Sequence, residues 1–134
     1  MKKTKKMTLN VIISLIIIIT ACFGIMLFFC VPNGDALEQA MERNDYITLA
    51  DVDESTPILG VLLPEGADRS ITFTKNVNLD FKTVTVIYFN EYESLKLYRD
   101  SLNPNEGEVV LTRGKALFIG TKAETTSARW IIWA

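Results

Sequence analysis

The sequence predicts an α+β protein: an N-terminal transmembrane helix followed by a small, mostly antiparallel sheet with helices on one face. Three observations carry that expectation. Residues 9–31 (LNVIISLIIIITACFGIMLFFCV) hold no charge. Beyond them, short runs rich in β-branched and aromatic residues alternate with turn residues. Helix starts are marked by capping boxes, in which a cap side chain and a glutamate three residues later each accept from the other's backbone N–H. These are Asp35 with Glu38, Asn90 with Glu93, and Thr121 with Glu124.

The apolar stretch comes first. A helix rises about 1.5 Å per residue, so roughly 20 apolar residues cross a hydrocarbon layer of ~30 Å. Residues 11–31 meet that length, diluted only by Ser14, Thr20 and Gly24. In lipid every backbone polar group must be paired internally, which leaves helix as the state for a single span. Lys2, Lys3, Lys5 and Lys6 precede it and no basic residue follows until Arg43. Positive charge stays on the cytoplasmic side. The expected organisation is therefore a cytoplasmic basic tail (1–8), a transmembrane helix acting as signal anchor (9–31), a linker (32–34) and an extracytoplasmic α+β domain (35–134).

Ile19-Thr20-Ala21-Cys22 looks like a lipobox, which opens an alternative: a lipoprotein lipidated at Cys22, with that residue as its mature N-terminus. The chain stays apolar from 23 to 31, where a lipoprotein begins a polar tether, and this favours the uncleaved anchor. Thr20 and Gly24 also form a small-xxx-small pair able to seat a second helix.

Charge divides by region. Of 14 Lys+Arg, four precede the anchor; the remainder sets 10 against 16 Asp+Glu, a net of about −6. A mildly acidic domain argues against nucleic acid as a partner and against anionic lipid held through a basic face. Both cysteines, Cys22 and Cys30, lie in the apolar stretch, so the domain is expected to fold on its apolar core without a disulfide. About 100 residues suffice for one small domain.

Along that domain, Pro32-Asn33-Gly34 breaks the long helix and leashes the domain near the bilayer, since three residues span at most ~11 Å. Asp35 caps a helix with Ala36, Leu37, Ala40 and Met41 at helical spacing, and Asn44-Asp45 ends it. Residues 46–52 read as a strand with Ile47 and Leu49 on one side. Residues 51–57 form an acidic turn. Its carboxylates, Asp51, Asp53 and Glu54, lack the spacing of a calcium loop and are expected to be solvated. Residues 58–63 are a short apolar run open to either strand or helix, its length favouring strand, and 64–68 read as a loop. Residues 70–75 alternate, with Ile71 and Phe73 on one face of a strand, and 76–81 read as irregular.

Residues 83–89 (TVTVIYF) form a strand. The helix after Asn90 aligns Tyr92, Leu95, Tyr98 and Leu102, and 103–107 (NPNEG) stop it. Strands 108–112 and 115–119 flank Arg113-Gly114, where Gly114 supplies the positive φ of a tight hairpin. That register sets Val109 opposite Phe118 and Leu111 opposite Ala116. Val110, Leu117 and Ile119 make the opposite face apolar as well, which calls for a cover from the chain itself or from a partner. Gly120 breaks the strand, and a last helix capped by Thr121 is lined by Ala123, Ser127, Trp130, Ile131 and Ala134. Residues 83–133 thus form a β-α-β-β-α unit, most of a ferredoxin-like layout, with residues 46–52 as the candidate for its missing strand.

Residues 83–122 resemble small membrane-tethered extracytoplasmic proteins of Gram-positive bacteria. The shared pattern is a strand ending in aromatics, a helix with an acidic start, and a hairpin closing on Gly120-Thr121-Lys122 before a final helix. The resemblance implies location and fold.

Chemistry is sparse. There is no histidine, which excludes Ser-His-Asp and Cys-His sites and the usual His-bearing zinc centres. No G-x-G-x-x-G or Walker A sequence supports nucleotide binding. No catalytic, cofactor or metal residue is nominated, and no cofactor is expected. Trp130 and Trp133 are candidates for a contact with the bilayer or a membrane partner, because tryptophan favours the lipid–water interface. The expected role is binding or accessory work at the cell envelope without catalysis. The alternatives are an envelope hydrolase using carboxylates the sequence does not single out, and an accessory subunit of a membrane complex.

Overall fold

A computed structural model describes residues 2–29, 31–54 and 63–131. The chain divides into two units, Met1–Cys30 and Val31–Ala134. The first is one helix, α1 (Lys2–Phe29), long and apolar enough to cross a membrane. Its isoleucines stand uncovered: even the least exposed, Ile13, is 46% exposed. The helix takes in the basic tail and ends at Phe29, short of the expected boundary at residue 31. Val31 instead packs against the core of the second unit.

The second unit is an α+β domain. Its elements are α2 (Gly34–Arg43), β1 (Ile47–Asp53), β2 (Ala67–Val77), β3 (Asp80–Phe89), α3 (Tyr92–Ser101), β4 (Glu108–Arg113), β5 (Ala116–Thr121) and α4 (Lys122–Arg129). The five strands form one sheet in the order β1-β2-β3-β5-β4, every neighbouring pair antiparallel. The strand expected at 58–63 lies outside the described residues except for Leu63.

Successive strand residues point to opposite faces, and here both faces are covered. On one, Leu37 and Met41 of α2 and Ala128 of α4 pack with Ile71, Phe73, Val84, Val86, Ala116 and Phe118. On the other, Leu95 of α3 packs with Ala67, Ile87, Phe89 and Leu117, with Tyr98, Leu102, Val110 and Ile119 around them. The expectation of helices on one face is therefore corrected. The apolar back of the β4–β5 hairpin is explained by α3, whose Leu95 is fully buried. The ferredoxin-like comparison is corrected with it. The place beside β3 belongs to β2, and residues 47–53 lie one strand further out.

Each anticipated capping box gives way to another arrangement. α2 starts earlier than expected: Asn33 is its cap and its Oδ1 accepts from the Ala36 N–H at 2.9 Å. Asp35 and Glu38 are thereby released to meet Arg69. α3 is capped by Glu91, not Asn90, without a side-chain hydrogen bond. Thr121 does cap α4, but its side chain makes no capping bond. α4 turns Thr125 and Ala128 to the sheet and ends at Arg129, so Trp130 sits at its C-cap and not on a buried stripe.

Two hairpins also differ from expectation. Gly114 and Lys115 form the β4–β5 turn, with Gly114 at φ +57° in the first central position, as a two-residue type II′ turn requires. The turn moves by one residue and the register by two, pairing Leu111 with Phe118, Val109 with Gly120 and Arg113 with Ala116. A shift of two leaves each residue on its intended face.

Residues 76–81, expected to be irregular, complete the β2–β3 hairpin. Val77 pairs with Asp80 across Asn78 and Leu79, both at positive φ (+53° and +68°). Leu79 occupies a position suited to glycine and is 91% exposed. Leu79→Gly is expected to stabilise the domain by about 0.5–1 kcal/mol, relief of left-handed strain outweighing the added freedom of the unfolded chain. A higher urea midpoint checks it; a lower one contradicts it.

Candidate functional site

α2 and α4 lie on the same face of the sheet, and between them and the β1–β2 edge is a cavity of about 250 Å³. Its apolar wall is Met41, Ala128 and Ile131. Its polar groups come from separate elements: Asn44 at the end of α2, Tyr46 ahead of β1, Lys75 on β2, and Glu124 and Ser127 on α4. The Lys75 ammonium lies 5.3 Å from the centroid of the Tyr46 ring, a cation–π distance. Tyr46 is 8% exposed. Burial, and then the nearby Glu124 carboxylate, push its hydroxyl pKa above the usual 10.0.

On α4, Glu124 Oε2, Thr125 Oγ1 and Arg129 Nε are all buried without a hydrogen-bond partner among the described residues, and of the three residues Glu124 lines the cavity. A buried polar oxygen left that way costs free energy until a donor reaches it. The residue expected to close a capping box is thus spent on a cavity wall instead. Ser127 and Lys75 border the same space, yet no hydrogen bond joins them among the described residues. A hydroxyl nucleophile with its base in reach is not assembled here.

The other charged assembly is structural in its connections. Arg69 grips Asp51 with Nε and Nη2, at 2.9 and 2.7 Å, and reaches Asp35 with Nη1 at 3.0 Å. Glu38 lies 3.7 Å from Nη2 and also accepts from the Thr48 hydroxyl at 3.1 Å. The solvated acidic turn expected over 51–57 is corrected at its start: Asp51 lies in β1 and carries an ion pair. Among the described residues no group of acidic or cysteine side chains is arranged to hold a metal ion.

Tyr88 pins the start of the domain. Its hydroxyl donates to the Pro32 carbonyl at 2.8 Å, so residues 32–34 are part of the fold and not a free linker. Burial raises the Tyr88 pKa far above 10.0, against the opposing pull of Arg69 and Arg113. The folded state therefore favours the neutral phenol. The associated stabilisation is complete below the unfolded value of about 10 and is lost as pH rises beyond it. Wild-type stability is expected to fall more steeply between about pH 10 and 12 than that of Tyr88→Phe, which gives up ~1 kcal/mol at neutral pH. Denaturation midpoints at pH 7 and in alkali check this; parallel alkaline slopes contradict it.

Of the residues singled out from sequence, Cys22 is exposed on α1, with helix continuing on both sides. Trp130 is 43% exposed, and the Arg129 guanidinium lies 4.9 Å from its ring centroid. Trp133 lies outside the described residues. Sequence reading missed the cavity because Tyr46, Lys75 and Glu124 share no spacing. The one signal was the helical stripe Ala123, Ser127 and Ile131, all of which line it. Comparison of the chain with protein-family models, curated proteins and solved structures gives no match.

Proposed function

We propose that the chain is a single-pass membrane protein with a cytoplasmic N-terminus, holding its α+β domain outside the cell. There it serves the envelope by binding, without catalysis. The observation that carries this is α1: its described apolar side chains are uncovered from Leu9 to Ile25, a state that water penalises and lipid does not. Four lysines at its start orient it by the positive-inside rule. The resemblance to membrane-tethered proteins of Gram-positive bacteria supports the same location. A binding role is supported by a cavity that gathers polar groups from several elements around a buried carboxylate oxygen with no donor among the described residues.

The chain stays apolar from 23 to 31, where a lipoprotein begins a polar tether, and this favours an uncleaved anchor over the lipoprotein. Protease added to intact cells is expected to remove the domain, and inside-out vesicles are expected to protect it. The reverse pattern overturns the orientation. Lipid label incorporated by wild type and lost in Cys22→Ala overturns the uncleaved anchor.

Trp130 is proposed as the contact with the bilayer or a membrane partner, with Trp133 beside it in sequence. In a Trp133→Phe background, a blue shift of Trp130 emission on adding vesicles supports lipid contact, and an unchanged spectrum removes it.

A further inference from the structure

The cavity beside α4 presents two opposite charges that do not meet each other. Lys75 enters from β2 and rests over the Tyr46 ring. Glu124 enters from α4, with Oε2 buried and lacking a donor among the described residues. No ion pair joins the two among the described residues, although both line the same space. Lys82, whose charge also acts with Glu124, gives its ammonium to Asp80 at 2.8 Å. It is therefore already engaged with another carboxylate.

We propose that this cavity binds a small zwitterion, a free α-amino acid, with its ammonium on Glu124 and its carboxylate on Lys75. A free ammonium supplies the donor that the buried oxygen lacks, and charge-assisted hydrogen bonds are the strong ones. A free carboxylate supplies the counter-charge for an ammonium that, among the described residues, rests on an aromatic face without an ion pair. At about 250 Å³ the cavity lies below the ~300–1,000 Å³ typical of drug-sized sites, which suits a metabolite of amino-acid size. Met41, Ala128 and Ile131 form an apolar wall for the ligand's side chain, while Asn44 and Ser127 offer further polar atoms. A ligand with one charge leaves either Glu124 or Lys75 unanswered, so the site discriminates against simple amines and simple acids.

The proposal deepens the binding role stated above and rests on it, but it fails separately: topology is read in cells, and ligand binding on the purified full chain in detergent micelles. Saturation-transfer NMR against the standard α-amino acids is expected to show at least one binder. Its decarboxylated amine and its deaminated acid are each expected to bind about tenfold more weakly, one unit of log affinity. Glu124→Gln and Lys75→Met are expected to weaken the amino acid by a similar factor while leaving the thermal transition in place. Two variants on different elements guard against one that fails to fold. Absence of saturable binding by every amino acid overturns the proposal. So does an amine or acid analogue that binds as tightly as its parent, or binding unchanged in both variants.

Discussion

Gly120→Ala is expected to destabilise the domain by about 3 kcal/mol or more, a large part of the ~5–15 kcal/mol that holds a small domain together. Gly120 sits in β5 between two strands, paired with Val84 of β3 and Val109 of β4. Its φ is +154°, a conformation side-chain-bearing residues rarely adopt. A Cβ placed there runs into the carbonyl oxygen of Thr83 and comes within 3.0 Å of Thr125 Oγ1. The first obstacle is backbone of the neighbouring strand, so no rotamer change relieves it. Alanine must part β5 from β3 or lift α4 from the sheet. Gly107 is the control. It too has positive φ, +83°, but nothing lies within 4 Å of its would-be Cβ. Gly107→Ala is expected to cost only about 1 kcal/mol. Urea denaturation of the full chain in detergent micelles separates them, and equal losses would refute the steric account.

Sequence patterning located the elements that announce themselves locally. Residues 83–89 are so rich in β-branched and aromatic side chains that β3 was legible, and its neighbour α3 followed from Leu95, Tyr98 and Leu102. Less legible was anything set by partners distant in the chain. Asp35 and Glu38 satisfy the local rule for a capping box, yet Arg69, more than 30 positions away, claims both. Leu79 hid a two-residue hairpin because nothing in leucine suggests positive φ. The choice of face was hidden too. An apolar β4–β5 back face allows a partner or an internal helix, and only the path of the chain decides for α3. The cavity was the least legible feature, because its opposite charges come from β2 and α4, separated by nearly half of the domain's sequence.

Arg69→Met is expected to cost about 2–3 kcal/mol, less than the ~3–5 kcal/mol of a fully buried pair because this one is partly solvated. The arginine side chain is 22% exposed and that of Asp51 33%. Removing the guanidinium leaves Asp35, Glu38 and Asp51 facing one another without their shared cation. Arg69→Lys is expected to recover part of the loss, since an ammonium restores charge but not the two-pronged grip on Asp51. Adding Asp51→Asn to Arg69→Met is expected to recover about 1 kcal/mol by reducing like-charge repulsion, the coupling a double-mutant cycle isolates. The guanidinium is also held protonated beyond its ordinary range, chiefly by its hydrogen bond to Asp51. Its stabilisation is therefore complete below about pH 12 and is lost only as pH rises through the folded value. Alkaline loss near pH 10 belongs to Tyr88 and Tyr46, and the Arg69 variants are expected to retain it. The same guanidinium lies flush against Gly34, where a Cβ would overlap Arg69 Cζ, so it fixes the start of α2. The other end of α2 supplies Met41 and Asn44 to the cavity wall. A variant that loosens Arg69 without unfolding the domain should then weaken amino-acid binding at a site it does not line, while Gly107→Ala leaves that binding intact. If Arg69→Lys and wild type bind alike despite a measurable stability gap, α2 is held in place by its apolar stripe alone.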